Sequence, residues 1–303
     1  MSTVTKFALV ALVAGWTGAA SAANVDWNRV GEALGKSGTQ LPGGIYKVAL
    51  PRTDLKVTLD GVEIKPGFAL GGWLAFEPMG QESMVMGDLV LTEDEVNPVM
   101  TKVLSGGLQV TALHNHLLRN RPFTMYMHVM GTGDPIQLAR VLHNALSVSR
   151  TPLAAAGSGG PQSVTARAKP PKIDLDTTVL DRTLGAKGTN NGGILQYGIP
   201  RAEPIKDMGM IVPPTMGTAQ GINFEPLGGG NAAITGDFVL TANEVAPVMK
   251  ALRENGIEVT ALHNHMIDEE PRLFFMHFWA HGDAVKLAKG LRAALDYINV
   301  KHS

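Results

Sequence analysis

The chain reads Ala261-Leu262-His263-Asn264-His265 and, a dozen residues on, Phe275-Met276-His277. The same words occur 149 residues earlier, as Ala112-Leu113-His114-Asn115-His116 and Tyr126-Met127-His128. Six of the nine histidines therefore fall into two equivalent triplets. Around them the match continues. Gly192-Gly193-Ile194 answers Gly43-Gly44-Ile45, Pro200-Arg201 answers Pro51-Arg52, and Phe224-Glu225-Pro226 answers Phe76-Glu77-Pro78. Gly236-Asp237-Phe238-Val239-Leu240-Thr241 answers Gly87–Thr92, and Glu244–Met249 answers Glu95–Met100. A register this constant is an internal duplication, so the 303 residues hold two domains rather than one large core.

Within each copy, alternating apolar stretches predict strands and 3.6-residue periods predict helices. Trp27–Gly35 reads as a short helix. Leu55–Leu59 and Val62–Ile64 flank the hairpin turn signal Asp60-Gly61. Strands are expected over Leu70–Phe76 and around Gly87–Leu91. Thr92-x-x-Glu95 has the form of a capping box, but Pro98 falls inside the helix it would open. The reading preferred here starts that helix later, with Asn97 as cap and Pro98 at its first position. A strand over Leu108–Leu118 carries two histidines, Phe123–Met130 returns with the third, and Asp134-Pro135 opens a helix to about Leu146. The expected fold class is α+β. Each of two duplicated mixed α/β domains has an antiparallel sheet carrying a histidine hairpin, with packed helices in a split βαβ-like order. The copies are expected to pack as an internal pseudo-dimer.

The expected boundaries are a signal peptide at 1–22, a first repeat at 23–150, a linker rich in Pro, Gly and Ala at 151–172, and a second repeat at 173–303. Lys6, the apolar run Phe7–Gly15 and Ala20-Ser21-Ala22 have the order of a secretory signal with its cleavage site. No other stretch approaches membrane-spanning length, so no stable span is expected once the signal is removed. A formal net charge of −1 and the lack of a Lys/Arg block leave no electrostatic footprint for nucleic acid. The contiguous His-Asn-His word lacks the basic surroundings of an HNH nuclease.

Side chains alternate faces along a strand, so His263 and His265 share a face. With a turn centred near residue 270, His277 lies opposite His263, and all three imidazoles project from one patch. His114, His116 and His128 repeat the arithmetic about residue 121. Neutral imidazoles with an open position are the ligand pattern of catalytic zinc, so the expected cofactor is a divalent metal, zinc first. Glu225 and Glu77 are the first candidates for a general base or fourth ligand, since each closes a strand before proline at a matching position. Asp237 and Asp88 come next. Glu269, Glu270 and His281 occur only near the second triplet, and copy one has Arg119 there. Met127 and Met276 read as strand core rather than copper ligands.

The Gly-Asp strand, Glu-Val-x-Pro-Val-Met, Thr-Ala-Leu-His-Asn-His and Met-His followed by Gly-Asp resemble the LppY/LpqO family, the DUF1259 domain of unknown function. The likeness covers both copies. It implies an exported bacterial protein without an established activity. Some family members are lipoproteins, and this chain, with no cysteine, departs from them; a soluble periplasmic or secreted form is the expectation. In ligand spacing alone, His263, His265 and His277 are similar to the zinc ligands of acetolactate decarboxylases, and His263, His265 and Glu269 to a cupin motif. Two functional readings stand side by side. One is a metal-dependent enzyme on a small oxygenated molecule; the other is a non-catalytic module binding a metal or small ligand.

Overall fold

The computed structural model describes residues 25–153 and 170–301; the signal segment expected at 1–22 lies outside the described residues, as does most of the linker. The first half runs α1 (Trp27–Leu34), β1 (Thr39–Gln40), β2 (Tyr46–Pro51), β3 (Val57–Leu59), β4 (Val62–Ile64), α2 (Pro66–Ala69), β5 (Gly71–Met79), β6 (Glu82–Thr92), α3 (Glu93–Ser105), β7 (Gln109–His114), β8 (Thr124–Gly133) and α4 (Pro135–Leu146). The second half repeats it as α5 (Thr177–Leu184), β9 (Thr189–Asn191), β10 (Ile194–Pro200), β11 (Lys206–Asp207), β12 (Met210–Ile211), β13 (Ala219–Gly228), β14 (Asn231–Leu240), α6 (Ala242–Glu254), β15 (Glu258–His263), β16 (Phe274–Asp283) and α7 (Ala284–Leu295).

Each half builds a six-stranded sheet, in the order β1-β2-β5-β6-β8-β7 and β9-β10-β13-β14-β16-β15. Neighbouring strands are antiparallel throughout. Helix α3 carries the chain from β6 past β8 to the edge strand β7, and α6 does the same between β14 and β15. This is the split βαβ order expected from the sequence.

The period of two along the strands sorts the residues into two layers. Val85, Leu89, Leu91, Met127 and Val129 face the helices, packing with Leu138, Leu142 and Leu146 of α4. Phe238, Leu240, Met276 and Phe278 do the same against Leu287, Leu291 and Leu295 of α7. Met127 and Met276 are thus fully buried helix-side core, as their spacing suggested. The alternate residues face the other half. Ala75, Met84, Met86 and Met130 join Val239, Leu273 and Phe275 in one apolar cluster, and Val90 and Tyr126 join Ala233 and Trp279 in another. The two sheets therefore stack face to face with helices outside, and the copies form an internal pseudo-dimer.

Helix α3 begins at Glu93, earlier than the start at Asn97 preferred from sequence. The Thr92 capping box forms, and Pro98 is accommodated inside the helix. A buried ion pair explains the outcome. Arg52, with no exposed surface, donates to Glu95 Oε2 at 2.6 Å and Oε1 at 3.1 Å and to the Val90 carbonyl at 2.7 Å. Glu95 also accepts from the backbone N–H groups of Thr92 and Arg150. A helix starting at Asn97 would forfeit this set, which offsets the one helical bond that Pro98 cannot donate. Copy two repeats it with Arg201, Glu244, Val239, Thr241 and Asn299 around the Pro247 helix. Because removing one member of a buried pair strands the other, Arg52→Ala is expected to destabilise the chain by about 3–5 kcal/mol in urea unfolding. Arg150→Ala removes only an exposed side chain whose backbone still caps Glu95, and is expected to stay within about 0.5 kcal/mol.

Candidate metal centre between the two sheets

The histidine hairpins are β7–β8 and β15–β16, and their edge strands run against each other. The observed register differs from the expected one: His263 pairs with Phe275, and His277 with Ala261. In copy one, His114 pairs with Tyr126, and His128 with Ala112. The slip is by two residues, with a bulge between Val259 and Ala261 and between Val110 and Ala112, so the histidines keep their shared face. Strands β7 and β15 also end at His114 and His263, which leaves His116 and His265 in the loops that follow rather than in the longer strands expected.

The intervening asparagines explain the word His-Asn-His. Asn264 Nδ2 donates to the Met266 carbonyl in its own loop and to the Thr111 carbonyl of the other half, both at 2.9 Å. Asn115 Nδ2 donates to the carbonyls of Leu117 at 3.2 Å and Thr260 at 3.0 Å. The same two threonines answer: Thr111 Oγ1 donates to the His265 carbonyl at 2.6 Å, and Thr260 Oγ1 to the His116 carbonyl at 2.5 Å. Two bonds thus clamp each histidine loop onto the opposite copy, four in all, about a pseudo-twofold axis.

The clamp merges the triplets. His114 stacks on His263 with ring centroids 3.5 Å apart, His116 on His277 at 3.7 Å, and His128 on His265 at 3.8 Å. Tyr126 covers the outer face of His116 at 3.3 Å, and Phe275 that of His265 at 3.5 Å. Each of these three closest histidine pairs joins the two halves. Nitrogens of His114, His263, His265 and His277 all lie within 4.8 Å of one another.

Two aspartates complete the cluster, because Asp88 pairs directly with His128, and Asp237 with His277, across neighbouring strands. Asp88 Oδ2 lies 3.9 Å from His116 Nε2, and Oδ1 3.8 Å from His128 Nε2. Asp237 Oδ2 lies 3.5 Å from His265 Nε2, and Oδ1 3.9 Å from His277 Nε2. These spacings exceed a hydrogen bond. Asp88 Oδ1, Asp237 Oδ1 and the Nε2 atoms of His114, His116, His128 and His277 are accordingly buried without a partner. His277 Nδ1 is 2.8 Å from the Gly236 carbonyl, which fixes that nitrogen as the donor and turns the Nε2 lone pair inward.

Buried polar atoms that converge without pairing are costly, and a cation among them removes the cost. Zn–N bonds of about 2.0–2.1 Å in a tetrahedron set donors roughly 3.4 Å apart, so the four nitrogens need move inward by at most about an ångström. The donor set fits a divalent metal. Glu77 and Glu225 sit further along the same sheets, opposite Met84 and Ala233, and neither lines the cavity beside the cluster. Glu225 Oε1 is 2.9 Å from Lys65 Nζ, and Glu77 is half-buried with one oxygen unpartnered. Glu269 turns back to cap the Leu273 N–H. Arg119 lies at the surface with Asp60 and Glu258, and His281 is exposed. The sequence ranked the aspartates second because the strand pairing that sets them beside the histidines is a tertiary fact.

A cavity of about 250 Å³ opens beside the cluster, reached by Asp88, Asp237, His116, His128, His265 and His277 and walled by Trp73 and Phe68.

Burial holds the histidines neutral: His114 falls to about 4, His277 to about 3, and His116, His128, His263 and His265 all lie below the ordinary value. Burial raises Asp88 to about 7 and holds Asp237 well above the usual carboxylate range, with Asp88 adding repulsion. Below about pH 6.5 the unfolded chain protonates six histidines that the folded chain keeps neutral, so stability is lost as pH falls. The two aspartates work in the opposite direction above about pH 4, because the folded state retains their protons there, Asp88 up to about pH 7. Six groups outweigh two. In chelator, the urea midpoint is expected to be lower at pH 5 than at pH 7, and Asp88→Asn is expected to steepen that dependence.

The family model described as Domain of Unknown Function (DUF1259) matches residues 28–148 and again 178–297, once over each half. No curated protein matches the chain. Among solved structures it is similar to a trimeric bacterial microcompartment shell protein, PduB, at 12% identity, covering 86% of this chain and 93% of that one with a TM-score of 0.21. It is also similar to EtuB from Clostridium kluyveri at 9% identity, covering 86% and 88% with a TM-score of 0.20. Scores this low carry nothing over to the present chain.

Proposed function

This chain belongs to the DUF1259 family, present in two tandem copies, and from its geometry we propose that the two copies jointly hold a divalent metal, zinc first, at which a small oxygenated molecule reacts. One observation carries the reading. Four histidines drawn from both halves bring their nitrogens within 4.8 Å of one another, and two carboxylates, each with one buried oxygen that has no partner, stand beside them at the head of a cavity. In this reading His114, His263, His265 and His277 supply the central donors, with His116, His128, Asp88 and Asp237 flanking them. A bound divalent ion supplies Lewis acidity toward a carbonyl or hydroxyl oxygen. The protein's own contribution is to exclude bulk water and to keep the imidazoles neutral. Asp88 or Asp237, whichever is not bound to the ion, sits where it can hold a proton near the substrate oxygen.

Two intact triplets would suit a non-catalytic binding module, since a catalyst needs only one site. That argument weakens when both triplets build one cluster. The cavity favours an open position over a closed structural site. Export belongs to the same proposal, on the N-terminal pattern Lys6, Phe7–Gly15 and Ala20-Ser21-Ala22.

The test is elemental analysis of untagged protein with His114→Ala, His263→Ala and the double variant. One or two metal equivalents are expected in the parent. Because the residues serve one centre, either single variant is expected to lose most of the metal, and the double little more. Independent sites in each copy would instead give additive halves. A folded parent that takes up no zinc, manganese, iron or copper on incubation sinks the reading.

A further inference from the structure

One cavity opens at the histidine cluster across the pseudo-twofold axis, lined by equivalent residues of both copies such as Asp88 with Asp237 and Trp73 with Gly221, and the two sides of its lining have diverged. Strand pairing gives the equivalences directly. Trp73 stands opposite Asp88 and Gly221 opposite Asp237, so Trp73 and Gly221 are counterparts. Ala75 and Met86 pair in copy one where Asn223 and Thr235 pair in copy two. Lys47, beside Ala75, corresponds to Gln196, beside Asn223.

On the copy-one side these residues fill the space with apolar packing. Ala75 and Met86 pack with Met130 and Met216 in an apolar cluster against which Trp73 rests. Lys47 Nζ pins the indole from 4.4 Å above its ring while donating to the Thr215 carbonyl at 2.7 Å. On the copy-two side the lining is Gly221, Asn223, Thr235 and Gln196, and the cavity extends there. A Cβ placed on Gly221 would meet nothing nearer than Asp237 N at 3.9 Å, so this glycine leaves open the space that Trp73 fills on the other side. The Gln196 and Asn223 carboxamides bond each other at 3.0 Å and reach the Gly67 and Phe68 carbonyls of the opposite copy, presenting a fixed polar wall.

We infer that the chain binds one small ligand, on the copy-two side of this cavity, and that Gly221 is the residue that admits it. This rests on the metal reading above. About 250 Å³ is room for about eight waters, at roughly 30 Å³ each. That suits a compact hydroxy-keto or polyhydroxy compound and is too small for a nucleotide. Such a ligand presents oxygens to the metal-side groups at one end and hydrogen-bonds the carboxamides at the other.

The experiment titrates acetohydroxamic acid, a small bidentate oxygen donor, into full-length cobalt-substituted protein, following the visible cobalt bands. Cobalt content and thermal unfolding are measured on every sample. One equivalent per chain is expected in the parent, and at least tenfold weaker binding in Gly221→Trp with cobalt content unchanged. Gly221→Leu serves if the tryptophan variant does not fold, and Gly221→Ala is expected to fall between it and the parent. A folded, cobalt-loaded Gly221→Trp or Gly221→Leu that binds like the parent overturns the inference while leaving the metal centre standing. Two equivalents in the parent do the same. A parent that takes up no cobalt overturns both.

Discussion

The constraint on which this architecture turns is the burial of six imidazoles and two carboxylates between two sheets. Polar atoms removed from water without partners cost free energy, more so when they are ionisable. The protein lowers part of that cost by keeping the imidazoles neutral and the aspartates in a raised range, and by sealing the cluster with Tyr126 and Phe275. What is left is a set of converging polar atoms, of which His263 Nε2 and His265 Nε2 bond each other at 3.1 Å, held by the Asn115, Asn264, Thr111 and Thr260 clamp. The clamp and the cluster imply each other. Without the clamp the loops carrying His116 and His265 have no partner half, and without converging donors there is little reason to bury them.

Duplication has a different meaning in such a molecule than in a pair of independent domains. Each half has its own helix-side core and its own buried Arg–Glu cap, so each is a complete packing unit. The inner sheet faces, by contrast, are completed only by the other copy. A centre lying on the pseudo-axis draws equivalent residues from both halves, which keeps the triplets alike. Away from the axis the copies no longer share a task. Trp73 and Gly221, or Met86 and Thr235, diverge because apolar packing fills one side of the shared cavity and the other side is left open.

The rigid parts of the fold are placed to serve this. Strands β6 and β14 are central, and each carries its aspartate in register with a histidine on the next strand. The Gly-Asp words repeat for a steric reason as well as a chemical one. A Cβ at Gly236 would fall 2.0 Å from the Gly221 carbonyl oxygen, so the strand can approach its neighbour this closely only with glycine there. The aspartate's position follows from that close approach.

By itself the sequence determined the two-copy organisation, the α+β class, the split βαβ order and the six histidines on one face per copy. These follow from repeat identity and from periods of two and 3.6, which are properties of neighbours along the chain. It misplaced the α3 start, because the Arg52 that holds Glu95 lies 43 residues away. It placed Glu77 and Glu225 ahead of Asp88 and Asp237, because strand pairing cannot be read from spacing. Only the tertiary structure decided that the two triplets are one cluster, that Asn115 and Asn264 reach across to make it so, and that the cavity beside it is open on its copy-two side. Those depend on how one folded half meets the other, and a contact between surfaces leaves no period in the sequence of either.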